Sequence, residues 1–107
     1  MPADHPILAE IRSLLDAPCG SYSPALAEIE STLTDGYAAA MAMEAERSRL
    51  ERRIAGLALQ LDGEAPPPET RELPCLARRL QGADEEIAML RDLLASLRVR
   101  ANELRAA

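Results

Sequence analysis

The sequence has few of the residues on which most globular cores depend. It contains no Phe and no Trp, its only aromatic residues are Tyr22 and Tyr37, and Val occurs once, at Val99. The apolar residues are mostly Leu, Ala, Ile and Met, which favour helices over strands. Because 48% of the 107 residues are hydrophobic, a core can form without aromatic side chains. The composition therefore predicts an all-α protein without a β-sheet.

Lysine is also absent, and the chain is acidic. All 12 basic residues are Arg, against 18 Asp and Glu, which gives a net charge of -6. Phosphate backbones repel such a chain, and two tyrosines form no platform on which bases could stack. We therefore expect no nucleic-acid partner.

The sequence has no long hydrophobic run. None approaches the roughly 20 apolar residues that a membrane-spanning helix needs. The first residues, Met1 to His5, lack the charged and apolar regions of a signal peptide. We expect no membrane association and a cytoplasmic location.

Three segments carry apolar residues at helical spacing and predict three helices in a single helical domain, residues 1–107. The first covers about residues 5–16. The second and third cover about 24–61 and about 73–105, and both keep a heptad pattern, which indicates a coiled-coil seam. The proline-rich tip between them, about 62–72, is short, so the long helices are antiparallel neighbours. We predict a short helix packed on a long antiparallel helical hairpin.

Local signals predict where the first two helices begin. Asp4 is a candidate N-cap, and Pro6 fits the first turn of the first helix. Ser23 is a candidate cap for the second helix, with Pro24 at the first helical position.

Charged residues predict the register of the hairpin. Folding the chain about its tip places Asp84 to Glu86 opposite Arg47 to Arg53. Nearer the open end, the same fold brings Arg98, Arg100 and Arg105 close to Glu28, Glu30 and Asp35.

Arg47 itself occupies a seam position, so it either extends to an acidic neighbour such as Glu86 or fixes the register or oligomeric state. Gly36 also interrupts the seam, and it either admits Leu97 closely or marks a bend.

The sequence has no pattern typical of a catalytic or metal site. His5 is the only histidine, and no cysteines or carboxylates surround it at metal-ligand spacing. The five glycines are isolated, which excludes a phosphate-binding glycine motif. In the hairpin, Cys19 and Cys75 would lie at opposite ends, too far apart for a disulfide. We predict no catalytic residue, cofactor or metal, and no enzymatic activity.

The uncharged stretch Tyr37–Met43 is the strongest functional signal. A helix that is apolar on all sides is usually buried on all sides, whereas a hairpin covers one stripe of each helix. The first helix is short and covers only part of the rest, so the alternative is intramolecular three-helix packing with some exposed alanine. Exposed Met and Leu patches usually mark interfaces, and we therefore expect a homodimer. The predicted interface consists of Tyr37, Ala40, Met41, Met43, Met89, Leu90 and Leu93.

Several segments together resemble a known family. After the short leading helix come Leu33-Thr34-Asp35-Gly36-Tyr37, Glu44-Ala45-Glu46-Arg47 and Leu50, then the proline-rich tip and a Leu-rich C-terminal helix. This arrangement resembles the small flagellar export chaperones, which are helical hairpins that bind C-terminal helices of their clients. The resemblance implies a client groove formed by Met41, Met43, Met89 and Leu93.

Two functions are therefore expected from the sequence. The first is an interaction module that self-associates and scaffolds or binds a partner protein. The alternative is an export chaperone that binds a helical segment of a client protein.

Overall fold

The computed structural model describes residues 5–17 and 25–107. These residues form three α-helices and one 3-10 helix, and they contain no strand. The elements are α1 (Pro6–Asp16), α2 (Leu26–Leu61), the 3-10 helix (Pro68–Glu72) and α3 (Leu73–Ala106). The two long helices form an antiparallel hairpin, which confirms the predicted all-α fold. None of the described helices is apolar enough over sufficient length to cross a bilayer.

Helix α1 is capped by His5. The Nδ1 atom of His5 accepts a hydrogen bond from the backbone N–H of Ile7 at 3.4 Å. Pro6 then occupies the first helical position, where a missing N–H leaves no bond unmade. Asp4, Ser23 and Pro24 lie outside the described residues, so the predicted start of α2 stays a prediction.

The tip contains a helical turn that the sequence did not predict. The proline run ends at Pro68, which opens the 3-10 helix because proline is tolerated in a first helical turn. The backbone N–H of Thr70 donates to the carbonyl of Pro67 at 3.1 Å, and its hydroxyl donates to the same oxygen at 2.7 Å. These two bonds satisfy the polar groups of Thr70, which is buried.

Contacts within the chain divide the described residues into two compact units. Unit 1 consists of the described residues up to Met41 together with Ala88–Ala107, and unit 2 is Ala42–Ile87. Each unit contains part of α2 and part of α3, which run antiparallel in both. The single-domain organisation of residues 1–107 stays a prediction.

Unit 1 is a three-helix bundle in which α1 packs on α2 and α3 of the same chain. Its buried apolar residues are Ile7, Leu8, Ile11, Leu14, Ile29, Leu33, Ala40, Leu90, Leu94, Leu97 and Ala101. Arg12 contacts Met89, and Arg100 donates to the carbonyl of Ala17 at 3.4 Å, so α1 runs parallel to α3. The intramolecular three-helix packing that the sequence left as an alternative is therefore present.

Gly36 allows the three helices of unit 1 to approach one another closely. A Cβ atom at this position would overlap Leu94 Cδ2 and would lie 3.5 Å from Ile11 Cδ1. The residue admitted by Gly36 is therefore Leu94, and not Leu97 as the sequence suggested.

Unit 2 has a smaller apolar core than unit 1. Its buried apolar residues are Leu57, Leu76 and Ile87. Leu50, Ile54, Leu73 and Leu80 are only half-buried, because two helices cover one stripe of each other.

Two exposed glycines give a first stability prediction. Gly56 in α2 and Gly82 in α3 have no heavy atom within 4 Å of an added Cβ. Alanine is favoured over glycine inside a helix by about 0.8–1 kcal/mol. Gly56→Ala and Gly82→Ala should therefore each raise the free energy of unfolding by about 0.5–1 kcal/mol, measured by urea denaturation. A loss of stability in either variant would mean that the added methyl group meets another surface.

Candidate interaction surface

Helical geometry divides the predicted interface between two sides of unit 1. Arg12 of α1 donates to the sulfur of Met89, so Met89 lies on the side of α3 that faces α1. Arg91 is two positions further along, about 200° around the helix, and therefore lies on the opposite side. Tyr37 lines a groove together with Arg91 and Arg98, so it lies on that opposite side as well.

We name the side of unit 1 away from α1 the Tyr37 face. The grooves of this face are lined by Glu30, Thr34 and Tyr37 of α2 and by Arg91, Ala95, Arg98 and Arg105 of α3. Met41 follows Tyr37 by one helical turn and therefore lies on the same side of α2. The α2 residues recur at intervals of three or four, which keeps them in one row along the helix. Arg91, Arg98 and Arg105 recur at intervals of seven on α3, so they also form one row.

Polar contacts hold the Tyr37 face together across the two helices. Arg98 donates to the hydroxyl of Tyr37 at 3.4 Å, and Arg105 pairs with Glu30 at 3.1 Å. The second contact confirms the predicted approach of Arg105 to Glu30, whereas Arg98 contacts a tyrosine and not the predicted carboxylate. Exposed pairs of this kind contribute only about 0–1 kcal/mol each, so they orient side chains more than they stabilise the fold.

The apolar side chains of the Tyr37 face remain exposed. Met41 is 72% exposed and Tyr37 is 40% exposed. Between the two helices runs a small open groove of about 160 Å³, in which buried Leu94 and small Ala95 lie between Arg91 and Arg98. A shallow apolar groove with charged margins is the kind of surface on which another helix docks.

The structure separates the other predicted interface residues. Ala40 and Leu90 are buried in the core of unit 1, so their side chains are not available to a second chain. Met89 is 42% exposed beneath Arg12, and Leu93, one turn further on the same side, is half-buried. Met43 belongs to unit 2 and is half-buried. Of the seven predicted residues, only Tyr37 and Met41 lie together on an open apolar surface.

Sequence reasoning overlooked the arginine row of the Tyr37 face. Arg91, Arg98 and Arg105 were visible in the sequence as a heptad repeat of one residue type. That repeat indicates a continuous basic margin along α3, whereas the predicted interface rested on the uncharged stretch Tyr37–Met43 and on the Met and Leu residues of α3.

In unit 2, Arg47 occupies its seam position without being buried. It forms ion pairs with Asp84 across the hairpin and with Glu51 one turn away. The hydrogen bond to Asp84 raises the pKa of Arg47 above its usual value, so the guanidinium is held in its charged form. This confirms that Arg47 extends to an acidic neighbour in the run Asp84–Glu86. Arg53 pairs instead with Glu72 at 2.8 Å, so its predicted partners were wrong.

The described residues contain no group of three or more His, Cys, Asp or Glu side chains placed to hold a metal ion. Cys75 is an exposed free thiol in α3, and Cys19 lies outside the described residues. No protein-family model matches this chain, and searches of the curated proteins and of the solved structures gave no significant match.

Proposed function

We propose that this protein is a non-enzymatic, cytoplasmic interaction module that forms a homodimer through the Tyr37 face and scaffolds a partner protein. The observation that carries the proposal is the exposure of Met41 and Tyr37 on the side of unit 1 that α1 leaves uncovered. The core of unit 1 is already complete on the other side, where α1 packs.

The composition of the Tyr37 face suits contact with a second copy of itself. A twofold interface joins the same surface of both chains, so that surface must be complementary to itself. Glu30 is already paired with Arg105 of its own chain, so the part of the face that two copies would bury against each other is the apolar surface of Tyr37 and Met41. Met41 is unbranched and adapts to an irregular neighbour, and full burial of such a side chain stabilises by about 1.5–3 kcal/mol.

Sedimentation velocity at micromolar concentration tests the homodimer. We expect the wild type to sediment with twice the chain mass and Met41→Glu to sediment as a monomer. Each dimer contains Met41 twice, so the substitution places two charges in the interface and should weaken association at least about a hundredfold.

A matched control lies on the same helix. Leu59 is 76% exposed in unit 2, so Leu59→Glu makes the same kind of change outside the Tyr37 face. It should leave the dimer intact. A monomeric wild type, or a Met41→Glu variant of unchanged mass, would rule out this interface.

The groove beside Tyr37 favours a second candidate function, that of an export chaperone. The buried Leu94 and the small Ala95 form an apolar floor, and Arg91 and Arg98 flank it. A helical client segment could lie there with apolar residues on the floor and acidic residues beside the arginines. This groove differs from the one that the resemblance to small flagellar export chaperones implied, because Met89 and Leu93 lie on the side of unit 1 that faces α1.

The two functions compete for one surface and can therefore be distinguished. A labelled amphipathic helical peptide with acidic flanks, added to the dimer, should leave the two chains associated if self-association is the function. Formation of a complex of one chain with one peptide, lost in Met41→Glu, would instead favour the chaperone function.

A further inference from the structure

Unit 2 concentrates positive charge in an acidic protein. Residues 46–53 contain four arginines and residues 73–83 contain two, against the two carboxylates Glu46 and Glu51 in the same ranges. The remaining acidic residues of unit 2 lie at its two ends: one end is the tip, and the other contains Glu44 and the run Asp84–Glu86. The middle of unit 2 is therefore a basic band between acidic ends.

An open groove of about 360 Å³ lies within this band. It is lined by Glu46, Arg49, Leu50, Arg53, Leu76 and Arg79. Leu76 is 4% exposed and Leu50 is half-buried, so the floor is apolar. Three arginines and one glutamate form the margins.

The arginines of the groove differ in whether the chain itself neutralises them. Arg53 pairs with Glu72 at 2.8 Å. Arg49 and Arg79 form no ion pair or hydrogen bond with any residue that the structure describes. The groove thus presents two guanidinium groups without a partner, one on each helix.

We propose that this groove binds a short acidic helix of a partner protein, with an aliphatic side chain on the Leu50–Leu76 floor and carboxylates on Arg49 and Arg79. Arginine suits this role because its planar fork donates two parallel hydrogen bonds to one carboxylate. A helix brings residues three or four apart onto one face, so one turn supplies both the aliphatic group and a flanking carboxylate.

Charge complementarity favours a protein segment over a phosphate polymer. A nucleic acid presents continuous negative charge, which would meet Glu46 in the groove and the acidic ends of unit 2. The groove also has no aromatic residue on which a base could stack. A peptide can place carboxylates beside Arg49 and Arg79 only and a neutral residue beside Glu46.

This site belongs to unit 2 and is independent of the homodimer proposed for unit 1. Its test therefore uses binding, whereas the homodimer is tested by mass. Failure of the peptide to bind would therefore leave the homodimer proposal unaffected, and a monomeric chain would leave the groove proposal unaffected.

Fluorescence anisotropy with a labelled peptide tests the groove. The probe is a helical peptide of about 15 residues, long enough to form a helix, with Leu at intervals of four and Glu on both flanks. We expect the full chain to bind it, and Arg49→Glu with Arg79→Glu to weaken binding at least about tenfold. Both residues are exposed and have no described partner, so circular dichroism should show unchanged helix content.

The matched control changes net charge equally on the same helices. Arg52 and Arg78 are exposed and do not line the groove, so Arg52→Glu with Arg78→Glu should bind the peptide like the wild type. Equal losses in both double variants would overturn the proposal, because they would indicate attraction to net charge alone. Equal binding of a peptide with Gln in place of Glu would overturn it too.

Other anionic partners are excluded in the same assay. A single-stranded oligonucleotide, and vesicles of phosphatidylglycerol and phosphatidylcholine, should bind more weakly than the acidic peptide. Tighter binding of either one, lost in Arg49→Glu with Arg79→Glu, would replace the acidic helix as the occupant of the groove.

Discussion

Replacement of Gly36 by leucine is expected to lower the free energy of unfolding by about 2 kcal/mol. The first added carbon already overlaps Leu94, whose side chain is 3% exposed and has little room to move. Ile11 of α1 lies next to the same position, so the remaining carbons of the new side chain separate α1 from α2. Overpacking of this kind costs about 1–3 kcal/mol or more, which exceeds the gain of about 1 kcal/mol in helix propensity. Urea denaturation followed by circular dichroism measures the change.

Two further glycine variants separate packing from propensity. Gly36→Ala should lower the free energy of unfolding less than Gly36→Leu does, because the gain in helix propensity offsets part of the cost of the overlap with Leu94. Gly56→Leu makes the leucine substitution on the same helix at a position with open space, and it should be neutral or stabilising. Wild-type stability in Gly36→Leu would contradict the close packing of α1, α2 and α3 around this residue.

The periodicity of the sequence was sufficient to predict the helices and the hairpin. An apolar residue every three or four positions defines both a helix and the face that it buries. Two helix-breaking sequences then define the tip. Helix α2 ends at Leu61, just before Asp62-Gly63, and α3 begins at Leu73, after the proline run. These boundaries are local, so no knowledge of the packing was needed.

The ion pairs between side chains were harder to predict, because each contributes little to the stability of the fold. Arg47 does contact the predicted acidic run, but Arg53 pairs with Glu72 in the tip. An exposed ion pair contributes about 0–1 kcal/mol, so such pairs follow the packing of the helices and do not determine it. The 3-10 helix that carries Glu72 was itself not predicted.

Only part of the candidate surface could be predicted, because the sequence does not show which residues of an apolar stretch face the core. The uncharged stretch of α2 contains Tyr37 and Met41, which are exposed, and Ala40, which is buried between them. Composition identifies such a stretch but does not say which of its residues point inward. The position of α1 decides which sides of α2 and α3 stay open, and an amphipathic pattern does not specify the side on which a short helix docks. Met89 was therefore grouped with Tyr37, although it lies on the side that α1 covers.

Replacement of Leu8 by alanine is expected to lower the free energy of unfolding by about 2–5 kcal/mol. Leu8 is completely buried, and α1 has only 11 residues, four of which are buried apolar side chains. A helix of this length is not stable alone in water, so it depends on those four contacts. Loss of a buried leucine side chain removes apolar burial and leaves a cavity. Urea denaturation should report the loss, and a hydrophobic dye should bind more strongly as α1 loosens from Met89.

The same substitution two helical turns further along α1 supplies the control. Leu15 is half-buried in α1, so Leu15→Ala should cost only about 1 kcal/mol. Equal losses at Leu8 and Leu15 would contradict the deeper burial of Leu8 in the core of unit 1. Sedimentation of Leu8→Ala under conditions where it remains folded adds a test of the dimer. The Tyr37 face lies away from α1, so the variant should remain dimeric, and a monomer would instead mean that α1 or the Met89 side contributes to the interface.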